Sequence, residues 1–188
     1  MKYYQLTMDI ERNNIVLCYF KRNPDLSQNI FCVGEIYHNM NEPLEFYYDK
    51  HEGTFFTDYL ANDKGWFIVS QKLQDLLKTL NTEIQFLPIL IKEKNDNTMV
   101  DGYCIANILR IVDALCLEKS EYFETKLPGL GTIYTVSKYG IYTKETKRSD
   151  VFKLSNRQEI PIFVSEFFKE NIEKNNLTGL SLSEIKAV

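Results

Sequence analysis

The sequence predicts an α+β fold, mostly antiparallel sheet with two or three helices, and three observations predict it. Short β-type runs separated by turn residues fill the first 60 positions, with no helical period among them. Two segments further on pass from a β-type run through a serine into an amphipathic helix. The composition is that of an ordinary globular chain: of 188 residues, 44% are hydrophobic and 26% charged, which excludes a disordered or fibrous polypeptide.

Taken in order, residues 3–10 and 15–20 are predicted strands on either side of a turn at Asn13-Asn14, and Asn23-Pro24-Asp25 ends the second. Residues 30–37 form another β-rich run, broken by His38-Asn39-Met40-Asn41-Glu42-Pro43 before residues 44–48 resume. Residues 66–69 are β-type. Ser70 follows as an N-cap, since its hydroxyl can accept from an exposed amide of the first turn. Leu73, Leu76, Leu77 and Leu80 then form one apolar helical stripe of about three turns, closed by Asn81, a residue that tolerates the left-handed conformation. Residues 86–91 are a strand that Pro88 assigns to an edge or a strand start.

Residues 103–115 are dense in apolar groups, and Ile105, Ile108, Ile111 and Val112 favour a strand at their start. Residues 133–136 and 140–143 are predicted strands around a turn at Ser137-Lys138-Tyr139, residues 144–150 a charged loop, and residues 151–154 a short strand. The strand–serine–helix unit then recurs: residues 162–164 lead to Ser165, Phe168 and Ile172 pair along a helix face, Asn175, Asn176 and Gly179 stop it, and residues 180–182 are extended. Ser165 lies 95 positions after Ser70. An internal repeat and an ordinary strand-to-helix transition both account for that. No Pro/Gly/Ser-rich linker divides the chain. Residues 1–188 are therefore expected to form a single α+β domain, or two tightly packed lobes of about 1–65 and 66–188.

Twenty-two basic against 26 acidic residues give a net charge of -4, without the cationic footprint of a nucleic-acid binder. The N-terminus has no apolar signal core, and the longest apolar-dense stretch, residues 86–91, falls far short of the ~20 residues of a membrane span. Cys18, Cys32, Cys104 and Cys116 are widely spaced, so free thiols and a cytoplasmic location are expected, with no membrane partner.

No constellation assigns chemistry. Cys32 with His38 is a formal nucleophile–base pair without local support, and the other histidine, His51, completes no metal-ligand spacing. Leu127-Pro128-Gly129-Leu130-Gly131 contains a G-x-G but follows no clear strand and opens no helix, so it reads as a turn. Glu118, Glu121 and Glu124 recur every three residues and read as a solvated acidic surface. No catalytic, cofactor-binding or metal-ligating residue is assigned, and no cofactor is expected. Residues 46–59 mix aromatics with acids. Those rings suit core packing, and surface tyrosines also suit a protein contact.

Phe67-Ile68-Val69-Ser70-Gln71-Lys72-Leu73-Gln74-Asp75-Leu76-Leu77 with Ile84-Gln85-Phe86-Leu87-Pro88 resembles the middle of a bacterial immunity-protein family of polymorphic toxin systems. Tyr103, Asn107 and Asp113 with Glu118-Lys119-Ser120 are similar to that family's central motif, although Cys116 stands where the family usually has a second Asp. Val151-Phe152-Lys153-Leu154, Val164-Ser165-Glu166 and Leu177-Thr178-Gly179-Leu180 resemble its C-terminal signature. The resemblance spans about residues 67–182. It implies a cytoplasmic antidote, not an enzyme, that binds a cognate toxin domain and blocks it by occlusion; the acidic balance suits a basic partner. Asn107, Asp113 and Ser120 stand as structural or functional groups. The alternatives are a hydrolase using scattered carboxylates and a regulatory protein-binding module.

Overall fold

Alternating burial along the strands decides the architecture, because successive side chains point to opposite sheet faces and each apolar face needs a layer to cover it. The computed structural model describes residues 1–11, 13–20, 25–38, 42–127, 129, 131–156 and 160–188. Asn23-Pro24, Asn39-Met40-Asn41, Pro128 and Leu130 of the predicted turns lie outside them.

The strands in chain order are β1 (Tyr3–Met8), β2 (Val16–Tyr19), β3 (Leu44–Tyr48), β4 (Tyr59–Asn62) and β5 (Ile68–Ser70), followed by helix α1 (Gln71–Leu77). Next come β6 (Ile84–Glu93), β7 (Met99–Val100), β8 (Tyr103–Ile108), β9 (Ile111–Val112), β10 (Glu121–Leu127), β11 (Gly131–Lys138) and β12 (Gly140–Ile141). The chain ends with β13 (Val151–Leu154), β14 (Ile162–Ser165), helix α2 (Glu166–Lys174), β15 (Leu180–Glu184) and β16 (Lys186–Ala187).

A mostly sheet α+β fold is what forms, with most neighbours antiparallel. The closed barrel within it was not foreseen. Strands β3-β2-β4-β5-β8-β6 run side by side, and β3 pairs back onto β6 in parallel from Leu44↔Ile89 to Tyr48↔Glu93, closing a six-stranded ring. Leu17, Phe46, Leu60, Ile68, Ile91 and Ile105 fill its interior. The second sheet, β15-β1-β14-β13-β9, turns Tyr3, Phe152, Leu154 and Phe163 to one face. That face is covered by β12, which pairs in parallel with β16 and bridges Leu115 through Ile141, so this sheet also curls towards a ring.

The two rings repeat each other strand for strand. Ser70↔Tyr103 and Val69↔Cys104 in the first ring correspond to Ser165↔Tyr3 and Val164↔Tyr4 in the second. Ile84↔Ile108 corresponds to Leu180↔Met8, and Leu17↔Asn62 to Val112↔Leu154. Phe46↔Ile91 corresponds to Ile141↔Ala187. The strand–serine–helix recurrence is therefore part of an internal structural repeat. Chain order adds an exchange: β1, which leads into the first ring, is inserted in the second, and β8, which leads into the second, is inserted in the first.

Between the rings lies a central cluster. Leu73 and Leu77 of α1 meet Phe168 and Ile172 of α2, with Val69, Ala106, Tyr4 and Val164 from the outer faces of both sheets. Each fully buried leucine or phenylalanine contributes about 1.5–3 kcal/mol. Two crossed locks hold the arrangement. Ser70 Oγ donates to Asp58 Oδ1 at 2.6 Å and accepts from Leu73 N at 3.2 Å, capping α1, while Asp58 Oδ2 accepts from Thr178 N, beyond α2, at 2.9 Å. Ser165 Oγ donates to Asp150 Oδ1 at 2.6 Å and accepts from Phe168 N at 3.2 Å, while Asp150 Oδ2 accepts from Asn81 N, beyond α1, at 2.9 Å.

Several local expectations are corrected. α1 is shorter than expected and its C-cap is Lys78, because Asn81 is held against Asp150 in the chain leaving the helix. Pro88 sits inside β6, not at an edge: β6 pairs with β8 up to Pro88 and with β3 from Ile89, so the missing N–H falls where the partner changes. Residues 30–37 are not a strand, since a short 3-10 turn at Gln28–Phe31 leads into irregular chain. Residues 137–139 are not a turn between strands, because β11 runs through Lys138 and pairs with β10.

Candidate interaction surface

The residues that sequence chemistry singled out are brought to separate places. Cys32 is half-buried and His38 exposed; His51 is exposed in the turn after β3. Among the described residues no cluster of three His, Cys, Asp or Glu could hold a metal ion. Glu121 and Glu124 lie on β10, three positions apart and so on opposite faces, each beside a lysine: Lys138 at 3.0 Å and Lys126 at 3.6 Å. With Glu118 in the preceding 3-10 turn they are solvated as expected, but they do not gather into one acidic surface. All four cysteines are free thiols, Cys104 and Cys116 buried, and burial pushes Cys104 up to about 11.

A cavity of about 340 Å³ opens at the mouth of the first ring, against the second sheet, lined among others by Phe31, Cys32, Asn62, Trp66 and Lys153. Its polar lining is engaged in holding the fold. Asn62 accepts from Trp66 N at 3.0 Å and donates to Trp66 O at 2.8 Å, and the buried Lys153 ammonium donates to Phe31 O at 2.6 Å.

Asn107, Asp113 and Ser120 each tie backbone or loops together. Asn107 Nδ2 donates to Glu35 O at 2.9 Å and Gln85 Oε1 at 3.1 Å, tethering the loop that covers the ring. Asp113 Oδ1 accepts from Ser155 Oγ and Asn156 Nδ2 at the end of β13. Ser120 Oγ donates to Cys116 O at 2.7 Å and accepts from Gly140 N at 2.9 Å, joining the two ends of the β10–β11 excursion. Of the aromatic run 46–59, the rings of Phe46, Tyr48 and Tyr59 are buried, Tyr47 and Phe56 half-buried, and Phe55 exposed. That run is mainly core.

The exposed aromatic surface lies elsewhere. β10 and β11 form a two-stranded hairpin, in register from Tyr122↔Val136 to Leu127↔Gly131, and every residue of β10 is exposed. One face carries Phe123, Thr125, Leu127 and Ile133; the other carries Tyr122, Tyr134 and Val136. Phe123 is 73% exposed, and Tyr122 and Tyr134 meet edge-on at 5.3 Å. Glu121, Glu124, Lys126 and Lys138 balance, leaving the hairpin electrically neutral. Sequence reasoning missed β10 for a physical reason: a strand wet on both faces has no period-two apolar pattern. The adjacent pair Tyr122-Phe123 between charged residues was the signal available.

No curated protein matches the chain. A protein-family description, the Immunity protein family (Imm11), matches residues 2–187, nearly the whole sequence and both rings. With that span and the described repeat running through it, the chain belongs to the Immunity protein family (Imm11).

Proposed function

We propose that this chain is the cytoplasmic antidote of a toxin–immunity pair: it binds a cognate toxin domain and covers its active surface. The observation that carries this reading is the family match across residues 2–187. The exposed aromatic hairpin supports it, since large rigid rings at the surface are what protein contacts use. The net charge of -4 favours a basic partner, because opposite charge accelerates encounter and rejects wrong partners. Four free thiols suit a reducing compartment. The test is co-expression with the toxin domain encoded beside this chain. Restored growth and a stable stoichiometric complex are expected; undiminished toxicity with soluble wild-type chain present overturns the reading.

A further inference from the structure

The repeat spends one stretch of chain in two ways. In the first ring, the described residues between β2 and β3, 25–38 among them, fold back over the barrel. Phe31 enters the core there, Trp66 Nε1 donates to Gln28 O at 2.9 Å, and the Gln85 amide brackets Tyr37 with two bonds of 2.9 Å. In the second ring, the chain between β9 and β12 holds the same place, and its strands β10 and β11 project as a hairpin. The second ring has no need of a plug. Its interior is filled by its own aromatics: Tyr139 meets Phe163 at 5.0 Å, Phe163 meets Phe152 at 5.8 Å, and Phe152 meets Tyr3 at 5.6 Å.

The root of the hairpin is nonetheless fixed. Ser120 clamps its two ends, Ser137 Oγ donates to Glu121 O at 3.0 Å, and Val136 packs against the second ring. Gly140 admits no side chain, since a Cβ there would lie 2.6 Å from Lys119 Cβ. An isolated two-stranded hairpin is marginal in water, and the fixed root offsets that for this one.

We propose, resting on the antidote reading above, that the β10–β11 hairpin is the arm that enters the toxin. It inserts into an apolar-walled cleft that covers both of its faces, with Phe123 as the anchor. Area selects that occupant over a second copy of this chain. Strands of seven residues span ~24 Å, so one face of the pair offers roughly 250 Å². Arm laid on arm therefore buries roughly 500 Å² in total, against the ~1,200–2,000 Å² of a stable interface. A cleft that closes on both faces and edges takes roughly 800 Å² from the arm, one partner's share of such an interface. Two copies, each at -4, also repel.

The experiment compares full-length wild type, Phe123→Glu and, as a surface control away from the arm, Phe167→Glu on α2, where the ring is 51% exposed. Each is measured for affinity to the purified toxin domain encoded beside this chain, for growth rescue, and for thermal midpoint. Phe123→Glu is expected to keep the wild-type midpoint, to lose at least ~100-fold in affinity and to lose rescue, while Phe167→Glu matches wild type. Leu127→Glu, nearer the tip, repeats the test if Phe123→Glu does not fold. Wild-type rescue with undiminished binding by the arm variants overturns the arm and leaves occlusion standing. Failure of wild type itself to bind overturns both. A wild-type dimer that Phe123→Glu converts to monomer, with toxin binding unchanged, makes the arm a self-contact and overturns the proposal.

Discussion

Ser70 and Ser165 perform the same task in different surroundings, and the difference sets what each is worth. Ser165 is fully buried and Asp150 nearly so, whereas Ser70 and Asp58 are half-buried. Ser165→Ala removes a helix cap worth about 1 kcal/mol and leaves a buried carboxylate oxygen without its donor, a further cost of about 1–3 kcal/mol. Ser70→Ala is expected to cost less, because water can reach Asp58. Urea midpoints of the two variants check the order, and a Ser165/Asp150 double-mutant cycle isolates the pair. Cys104 offers a second residue-level prediction: with its thiol pushed up to about 11, roughly one molecule in a thousand is thiolate at pH 8. Alkylation there is expected to follow global unfolding, well after the half-buried Cys32, as peptide mass spectrometry would show. Both serine caps were legible in the sequence, because capping is a local bond between neighbours in the chain. Their aspartates were not, since Asp58 and Asp150 lie 12 and 15 positions upstream and only strand pairing brings them back.

Among the elements, the β6–β7 hairpin carries the clearest pH dependence. Asp96 is held well below the usual carboxylate range by the Thr98 hydroxyl, the Lys50 ammonium and the Thr98 amide. Burial works against the charge on Glu93, and the amides of Asp96 and Asn95 outweigh it, so this carboxyl too is lowered. Both groups titrate lower folded than unfolded. Their stabilisation is complete above the unfolded value of about 4 and is lost as pH falls through the folded values. Urea midpoints are expected to drop as pH falls below about 4, and Asp96→Asn to flatten that drop; an unchanged slope would remove the turn from the account. The helices and most buried strands were legible from apolar spacing. Strand β10 and the partner-switching Pro88 were not, because one lacks a dry face and the other depends on which neighbour lies alongside.

For the molecule as a whole, the exchange of β1 and β8 ties each ring to the other, and both crossed locks run between the two repeats. One cooperative unfolding transition is therefore expected. Trp66, the sole tryptophan, reports on the first ring, so its fluorescence should coincide with far-UV circular dichroism. Phe163→Ala, in the core of the second ring, should lower the Trp66 transition as well, by about 3–5 kcal/mol. A Trp66 transition that ignores this variant would mean two lobes melting separately. Composition, capping residues and apolar spacing were enough to establish a mixed, sheet-rich fold and to place two helices behind two serines, while the family was suggested by the resemblance of short motifs. Ring closure and the exchanged strands came from register between segments up to about 180 positions apart. Such pairings depend on which apolar faces find cover in three dimensions, and no local pattern of residues encodes that choice.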